Sequence, residues 1–209
     1  MRQIVLAVIA ATAIVGLSCS PTASSIYPMS VGSVWNMEVL LLSGTTLAAL
    51  DTAQTGTVVT TAVEKANLTS GEEVVKFKNE VTTHIKTPDT TYTNTTYSYS
   101  REAGDWILSY SDLSDSTADT VMVTTPSVGK TWHQGTATAE VVGQEDVTVV
   151  AGTYKGAWKV KLTVTSGGYT IQMYYWFAKG TGMVKMHWDW SAQGYSQTYN
   201  QELTSATIK

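Results

Sequence analysis

Alternation of apolar and polar residues in two segments is the feature that most limits how this chain can fold. In WKVKLTVT, residues 158–165, tryptophan, valine and leucine alternate with lysine and threonine. The segment VKFKNEVTTHIK, residues 75–86, alternates in the same way. A period of two places successive side chains on opposite faces of a β-strand. One face is then buried and the other hydrated, which is typical of antiparallel sheets.

Short glycine-containing turns separate further strand-like segments that are rich in threonine, valine and tyrosine. The predicted strands are residues 33–42, 56–67, 73–86, 91–101, 105–112, 119–125, 136–150, 157–165, 169–178, 183–191 and 195–207. Only TLAALDTA, residues 46–53, predicts a helical turn or two. The sequence therefore predicts one all-β domain of about ten or eleven antiparallel strands in a meander. Such a sheet curls into a half-barrel or barrel-like form to protect its edges, with little or no helix.

Two segments share the pattern Val-Gly-x-x-Trp. They are YPMSVGSVWNMEV, residues 27–39, and TPSVGKTWHQG, residues 125–135. Glycine allows a backbone conformation that other residues avoid, and the tryptophan that follows is a large core anchor. We interpret both segments as strand-initiating motifs, and an internal duplication is the alternative.

The N-terminus has the features of a signal peptide. Arg2 precedes an apolar segment, residues 4–17, that is too short to span a bilayer and ends beside Cys19, the only cysteine. The predicted organisation is a lipoprotein signal peptide over residues 1–18 and a lipidated tether over 19–26. The β domain follows over 27–209. A single cysteine permits no internal disulfide.

The position of Cys19 resembles the lipobox of bacterial lipoproteins, in which this cysteine carries the lipid. Ser18 is the small residue expected before the cleavage site, although Gly16 stands where leucine is usual. Ser20, in place of aspartate, resembles the pattern of lipoproteins sent to the outer membrane. The resemblance implies a membrane partner through lipid on Cys19 and a location in the cell envelope. An ordinary secretory signal with an incidental Cys19 is the alternative.

Several classes of function lack support in the sequence. The net charge of −4 is spread along the chain, which gives nucleic acid no basic patch. SVGKTW contains Gly-Lys-Thr, but Thr124 stands where a phosphate loop needs its first glycine, so we expect no nucleotide. The three histidines lack metal-ligand spacing, and Asp112, Asp115 and Asp119 do not follow a calcium loop. No Gly-x-Ser-x-Gly motif is present, so we expect neither an enzyme nor a cofactor.

Aromatic residues are concentrated between positions 169 and 199. Alternation places Tyr174 and Trp176 on one face of their strand, and Trp188 and Trp190 share a face of the next. We take these four residues as candidate ligand contacts, for an apolar small molecule or for a sugar. The alternative is that they pack the core of a curled sheet.

Three ordered motifs resemble the TapB-like family of uncharacterised bacterial cell-envelope lipoproteins. They are YPMSVGSVWNMEV, VTVVAGTYKGAWKVKLTV and YYWFAKGTGMVKM, and they span most of residues 27–190. The resemblance implies a β-rich envelope domain and brings no catalytic residues. The expected function is a non-enzymatic binding or structural module, possible partners being an apolar small molecule or an envelope protein. The alternatives are a carrier or chaperone for lipid or apolar ligands in the concave side of the sheet, and a carbohydrate-binding module that uses tryptophan residues.

Overall fold

Twelve antiparallel strands form one sheet in the computed structural model, which describes residues 25–166 and 168–209. The strands are β1 (Val34–Thr46), β2 (Ala49–Asn67), β3 (Glu73–Ile85), β4 (Thr90–Ala103), β5 (Trp106–Tyr110), β6 (Asp119–Val123), β7 (Thr131–Gln134), β8 (Ala137–Val149), β9 (Gly152–Ser166), β10 (Tyr169–Ala178), β11 (Gly182–Ala192) and β12 (Tyr195–Thr207). Their order is β6-β5-β4-β3-β2-β1-β12-β11-β10-β9-β8-β7. The predicted all-β meander in a nearly closed, barrel-like sheet is confirmed. The described residues contain no helix that could cross a membrane.

The alternating strands bury the face that the sequence predicts. On β3 the side chain of Phe77 is fully buried, while Lys76 and Lys78 lie on the outer face. These lysines pair with Glu64 at 2.9 Å and Glu80 at 2.8 Å. Exposed ion pairs of this kind contribute little to stability. The buried apolar face is therefore what fixes the register of the strand.

Two local predictions are wrong. Residues 46–53 form the β1–β2 turn and the start of β2, not a helical turn, because Thr46 pairs with Ala49 and Gly44 with Leu50. Helix nucleation is unfavourable in so short a segment, and pairing with β1 offers its backbone hydrogen bonds instead. The four-residue strand β7 was not predicted as a strand of its own, since four residues are too few to display a period.

The interpretation of the two Val-Gly-x-x-Trp segments as strand-initiating motifs is confirmed. Gly32 and Gly129 have φ values of 89° and 86°, in the left-handed region, and β1 and β7 begin two residues after them. Trp35 and Trp132 are both buried. Each indole N–H donates to a backbone carbonyl, which satisfies the polar atom of a buried ring.

Residues 25–33, here named the N-terminal segment, close one end of the barrel. The Ser25 carbonyl accepts a hydrogen bond from the Gly180 N–H, and the Ser25 hydroxyl oxygen lies 3.3 Å from Glu102 Oε1 of β4. Gly180 follows β10 and Glu102 lies on β4, and these two strands are far apart in the strand order. Ile26, placed in the predicted tether, is buried in the core, as is Tyr27. We call this the closed end; the predicted signal peptide and Cys19 lie outside the described residues.

The barrel has a seam where the edge strands β6 and β7 meet. No backbone ladder joins them, although residues 124–130 connect them directly. The Trp132 indole N–H crosses the seam and donates to the Thr120 carbonyl at 3.0 Å. Both edges are short, which limits the exposure of unpaired backbone groups. Side chains thus close the seam where the hydrogen-bond ladder does not.

The interior beneath the seam is filled by the protein's own side chains. A partly open cavity of about 20 Å³ remains there, lined by Val121, Trp132, Gln134, Ala139, Val160, Leu162, Tyr175 and Phe177. That volume holds about one water molecule. An acyl chain could enter this region only by displacing core side chains, which does not favour the lipid-carrier alternative.

Candidate functional site

The four predicted contact residues lie on two faces of the sheet and do not form one site. Tyr174 and Trp176 lie on the outer face of β10, opposite to the buried Met173 and Tyr175. Trp188 and Trp190 lie on the inner face of β11. A ligand role for any of them stays a prediction.

Trp176 belongs to a network of polar contacts on the outer face. Its indole N–H donates to Glu145 at 2.7 Å, and Lys159 pairs with the same carboxylate at 3.1 Å. The Lys159 ammonium also lies 4.9 Å from the centre of the Trp176 ring, within the range of a cation–π interaction. The ring is covered by these neighbours and is buried. Trp176 is therefore a structural residue rather than an open contact surface.

This network predicts a pH response at Glu145. The Trp176 N–H, followed by Lys159, holds the pKa of the Glu145 carboxyl below its ordinary value. Its stabilising contribution is present above the unfolded-state pKa and is lost as pH falls through the lower folded-state pKa. We expect Trp176→Phe to raise the pKa of Glu145 in an NMR titration of the side-chain carboxyl carbons.

Asp146 provides the internal control for that titration. The Lys155 ammonium and the Gly156 N–H lower the pKa of its carboxyl, and neither contact involves Trp176. The pKa of Asp146 should therefore be unchanged in Trp176→Phe. A pKa of Glu145 that also stays unchanged would contradict the assigned role of the indole.

His187 lies on the outer face in a chain of hydrogen-bonding groups. Its Nδ1 is 2.9 Å from Asn200 Oδ1, and its Nε2 is 3.2 Å from Asp189 Oδ2. The Thr198 hydroxyl donates to the other oxygen of Asp189 and not to the imidazole. The histidine does not contact a hydroxyl that it could activate as a base. The arrangement links β11 to β12 and offers no visible nucleophile.

The aspartates considered for calcium organise a loop instead. Asp115 accepts hydrogen bonds from the backbone N–H groups of Ser111 and Asp112, and Asp112 accepts from Ser114. These contacts point the carboxylate oxygens at the loop's own backbone. Within residues 25–166 and 168–209, no group of three His, Cys, Asp or Glu residues could hold a metal ion.

The end of the barrel opposite to the N-terminal segment is open, and we name it the open end. It carries the turns between β1 and β2, β3 and β4, β9 and β10, and β11 and β12. On β4, Asn94 and Thr96 share the inner face with the buried Ser98, because they pair with Val81 and Asn79 of β3. Asn94 and Thr96 are nevertheless exposed. Inward-facing residues that meet solvent indicate that the sheet does not close here.

An aromatic wall forms one side of the open end. Trp190 lies between Tyr169 and Tyr195, with ring centres 6.2 Å away on both sides in edge-on geometry. The two tyrosines are 41% and 44% exposed. Deeper in the barrel, Trp188 and Tyr199 stack at 5.6 Å with nearly parallel rings. Burial raises the pKa of Tyr199 to about 12, so its hydroxyl stays protonated and donates to Gln201.

Side-chain amides flank the exposed rings of the aromatic wall. Gln193 donates to the Tyr169 hydroxyl at 2.9 Å, and Gln197 donates to the Tyr195 hydroxyl at 3.2 Å. A surface depression of about 390 Å³ adjoins this wall, between the β1–β2 turn and the β11–β12 turn. The wall therefore combines aromatic surface with neutral hydrogen-bonding groups.

Buried polar side chains lie one layer below the exposed part of β3 and β4. Asn79 accepts a hydrogen bond from Thr60 at 2.8 Å, but its Nδ2 has no partner among the described residues. The hydroxyls of Ser98 and Ser100 likewise have no partner in the part of the chain that the structure describes. All three residues are at most 1% exposed. A buried polar group without a hydrogen bond is costly, so each calls for an explanation.

The sequence pointed to only part of the open end. Trp190 was predicted as a contact residue, whereas Tyr169, Tyr195, Asn79 and Ser98 were not. The two tyrosines begin strands that follow tight turns, and extending the alternation back to the first residue of each strand places both on the face of Trp190. Nothing in the sequence marks Asn79 and Ser98 as unpartnered.

Comparisons with known proteins find similarity to solved structures at low sequence identity. No family model matches the chain, and no curated protein sequence matches it. One similar solved structure is described as a "putative lipoprotein" from Parabacteroides distasonis ATCC 8503, with 13% identity, a TM-score of 0.45, and coverage of 88% of this chain and 99% of that chain. Another is described as a "putative exported protein with YmcC-like fold" from Bacteroides fragilis NCTC 9343, with 14% identity, a TM-score of 0.43 and the same coverage. The resemblance to TapB-like proteins stays a prediction.

Proposed function

We propose that this chain is a lipid-anchored protein of the bacterial cell envelope, a non-enzymatic binding module that presents its open end away from the membrane. The N-terminal signal pattern and the position of Cys19 support the anchor. The ordered motifs that resemble TapB-like envelope lipoproteins agree with it. Ser20 favours the outer membrane over the inner one.

The observation that carries this proposal is the position at which the chain enters the barrel. Ser25 lies at the closed end, between Gly180 and Glu102. Five residues, 20–24, lie between it and Cys19, and the six extended residue steps from Cys19 to Ser25 span at most about 20 Å. A lipid on Cys19 would therefore keep the closed end beside the membrane. The open end, with its exposed aromatic wall, would face away from the membrane.

A binding role fits the chemistry of the described residues better than catalysis. The carboxyl groups whose pKa is lowered lie near the surface and contact lysine, arginine, indole, hydroxyl or backbone groups of the protein itself, as Glu145 and Asp146 do. Such pairs stabilise structure and do not leave a carboxylate poised for proton transfer. The open end instead combines exposed rings with neutral polar groups, which is typical of recognition surfaces.

Replacement of Cys19 tests the anchor. We expect the unaltered protein to sediment with membranes and to be released by detergent, and Cys19→Ala to remain in the soluble fraction. Several acyl chains contribute about 0.8 kcal/mol per buried methylene, so the difference should be nearly complete. Mass spectrometry of the N-terminal peptide should find the lipid only on the cysteine form.

Ser24→Ala is the matched control, because it alters the same stretch of chain and keeps the cysteine. This variant should stay with the membranes. Membrane association that is unchanged in Cys19→Ala would refute the lipid anchor, whatever the open end binds.

A further inference from the structure

The inner surface of the open end carries an acid, Asp51 of β2, which pairs with the inward-facing Ser43 of β1, but β3, β4, β10, β11 and β12 present no charged side chain there. The inward-facing residues there on β3, β4, β10, β11 and β12 are Val81, Thr83, Ile85, Thr90, Tyr92, Asn94, Thr96, Tyr169, Ile171, Trp190, Ala192, Tyr195 and Gln197. Phosphate or carboxylate ligands are usually held by arginine or lysine, and none of these residues can pair with an anion. An anionic ligand is therefore not expected at this surface.

The aromatic wall requires a ligand that has both apolar faces and many polar groups. The exposed rings of Tyr169 and Tyr195 offer apolar surface, while their hydroxyls and the amides of Gln193 and Gln197 offer donors and acceptors. A sugar ring has C–H groups on its faces and hydroxyls around its rim. It can stack on the rings and bond to the amides at the same time.

The buried polar layer is an independent indication of a hydroxyl-rich ligand. Asn79 Nδ2 and the Ser98 hydroxyl face the interior from the first buried positions below Asn94 and Thr96. A ligand hydroxyl can accept from the amide and exchange hydrogen bonds with the serine. An acyl chain could not satisfy either group, so the same layer argues against lipid.

We propose that the open end binds a neutral carbohydrate, whose rings stack on Tyr169, Trp190 and Tyr195 and whose hydroxyls reach the layer of Asn79 and Ser98. This rests on the proposed function as a binding module and names the ligand class of the same surface. A membrane interface is the competing occupant for exposed tyrosine and tryptophan. The lack of lysine and arginine among the inward-facing residues disfavours it, since surface-bound segments usually carry such residues.

Isothermal titration of the detergent-solubilised full chain tests the proposal. The probes are maltohexaose, cellohexaose, chitohexaose and mannohexaose, beside an oligogalacturonate as the anionic arm and phosphatidylethanolamine–phosphatidylglycerol vesicles as the lipid arm. We expect binding of at least one neutral hexasaccharide. Trp190→Ala and Tyr195→Ala should each weaken it tenfold or more, as for aromatic anchors at other binding surfaces.

Tyr97→Ala is the matched control for Tyr195→Ala. Tyr97 is 47% exposed, close to the value for Tyr195, but it lies on the outer face of β4. Its replacement should leave the affinity unchanged. Tyr195 is at a hairpin end, so its variant should fold even where Trp190→Ala does not.

Ser98→Ala separates a ligand role from a structural one. Removal of a buried hydroxyl without a partner among the described residues should leave the urea midpoint of unfolding unchanged or raised, because the unpaired polar group is lost. We expect the affinity for the neutral hexasaccharide to fall about fivefold to tenfold in the same variant. A structural serine would not give this combination.

Four outcomes would overturn the carbohydrate assignment. They are the absence of binding for all four neutral probes, equal losses in Tyr97→Ala and Tyr195→Ala, unchanged affinity in Ser98→Ala, and a preference for the anionic probe or the vesicles. If the protein binds the vesicles or the oligogalacturonate and Tyr195→Ala abolishes that binding, the open end is still a binding surface. Only the assignment of a neutral carbohydrate as the ligand is then refuted. The membrane anchor is tested separately by Cys19→Ala.

Discussion

Tyr27→Ala is expected to lower the free energy of unfolding by about 3–5 kcal/mol, the usual cost of truncating a fully buried aromatic side chain. Tyr27 is 0% exposed, and its ring centre lies 5.8 Å from that of Phe177 on β10. Its backbone N–H and carbonyl both bond to the Ser25 hydroxyl, which fixes the turn of the N-terminal segment. Equilibrium unfolding in urea, followed by tryptophan fluorescence, measures the change.

Tyr97→Ala again serves as the comparison, because Tyr97 is an exposed tyrosine that contacts Lys76 on the outer face. Its removal should cost less than about 1 kcal/mol. Equal effects of the two substitutions would mean that the N-terminal segment does not belong to the cooperatively folded unit. That result would also remove the argument that the closed end faces the membrane.

The importance of the N-terminal segment could not be predicted from the sequence. SPTASSIYP is small, polar and interrupted by proline, which is the composition of a tether. Ile26, Tyr27 and Met29 are nevertheless buried, because they pack against the apolar interior at the closed end of the barrel. Burial of this kind has no period along the chain, so only the folded sheet reveals it.

The strands themselves were predictable wherever one face of the sheet is exposed to solvent. Alternation alone is enough to place Phe77 inside and Lys76 outside, and to place Tyr174 and Trp176 opposite to Tyr175. The register breaks were not predictable. One example is the shift in the pairing of β8 with β9 between Glu145 and Val147. The pairing continues beyond this shift to Gly152, so β9 begins earlier than the predicted residue 157.

The candidate site was only partly predictable for a related reason. Aromatic density indicated the C-terminal strands, but density alone does not separate a covered ring from an exposed one. Trp176 is covered by Glu145 and Lys159, whereas Trp190 lies at the open end between two exposed tyrosines. That difference depends on partners from distant strands, which no local pattern encodes.

The seam between β6 and β7 should be sensitive to a single substitution. We expect Trp132→Ala to destabilise the fold by about 3–5 kcal/mol, because it removes a buried indole from above an existing cavity. It also removes the hydrogen bond to the Thr120 carbonyl, which crosses a junction without a backbone ladder. Amide hydrogen exchange should therefore accelerate more in β6 and β7 than in β3.

Trp132→Phe isolates the hydrogen bond from the packing. Phenylalanine keeps an aromatic ring above the cavity but has no N–H, so we expect a cost of about 1 kcal/mol from the lost bond, plus a smaller packing term. Exchange in β6 should still accelerate, since the Thr120 carbonyl loses its donor. If the amide hydrogens of β6 and β7 exchange at unchanged rates in both variants, the indole does not close the barrel. The seam would then be held by packing along β5 and β8.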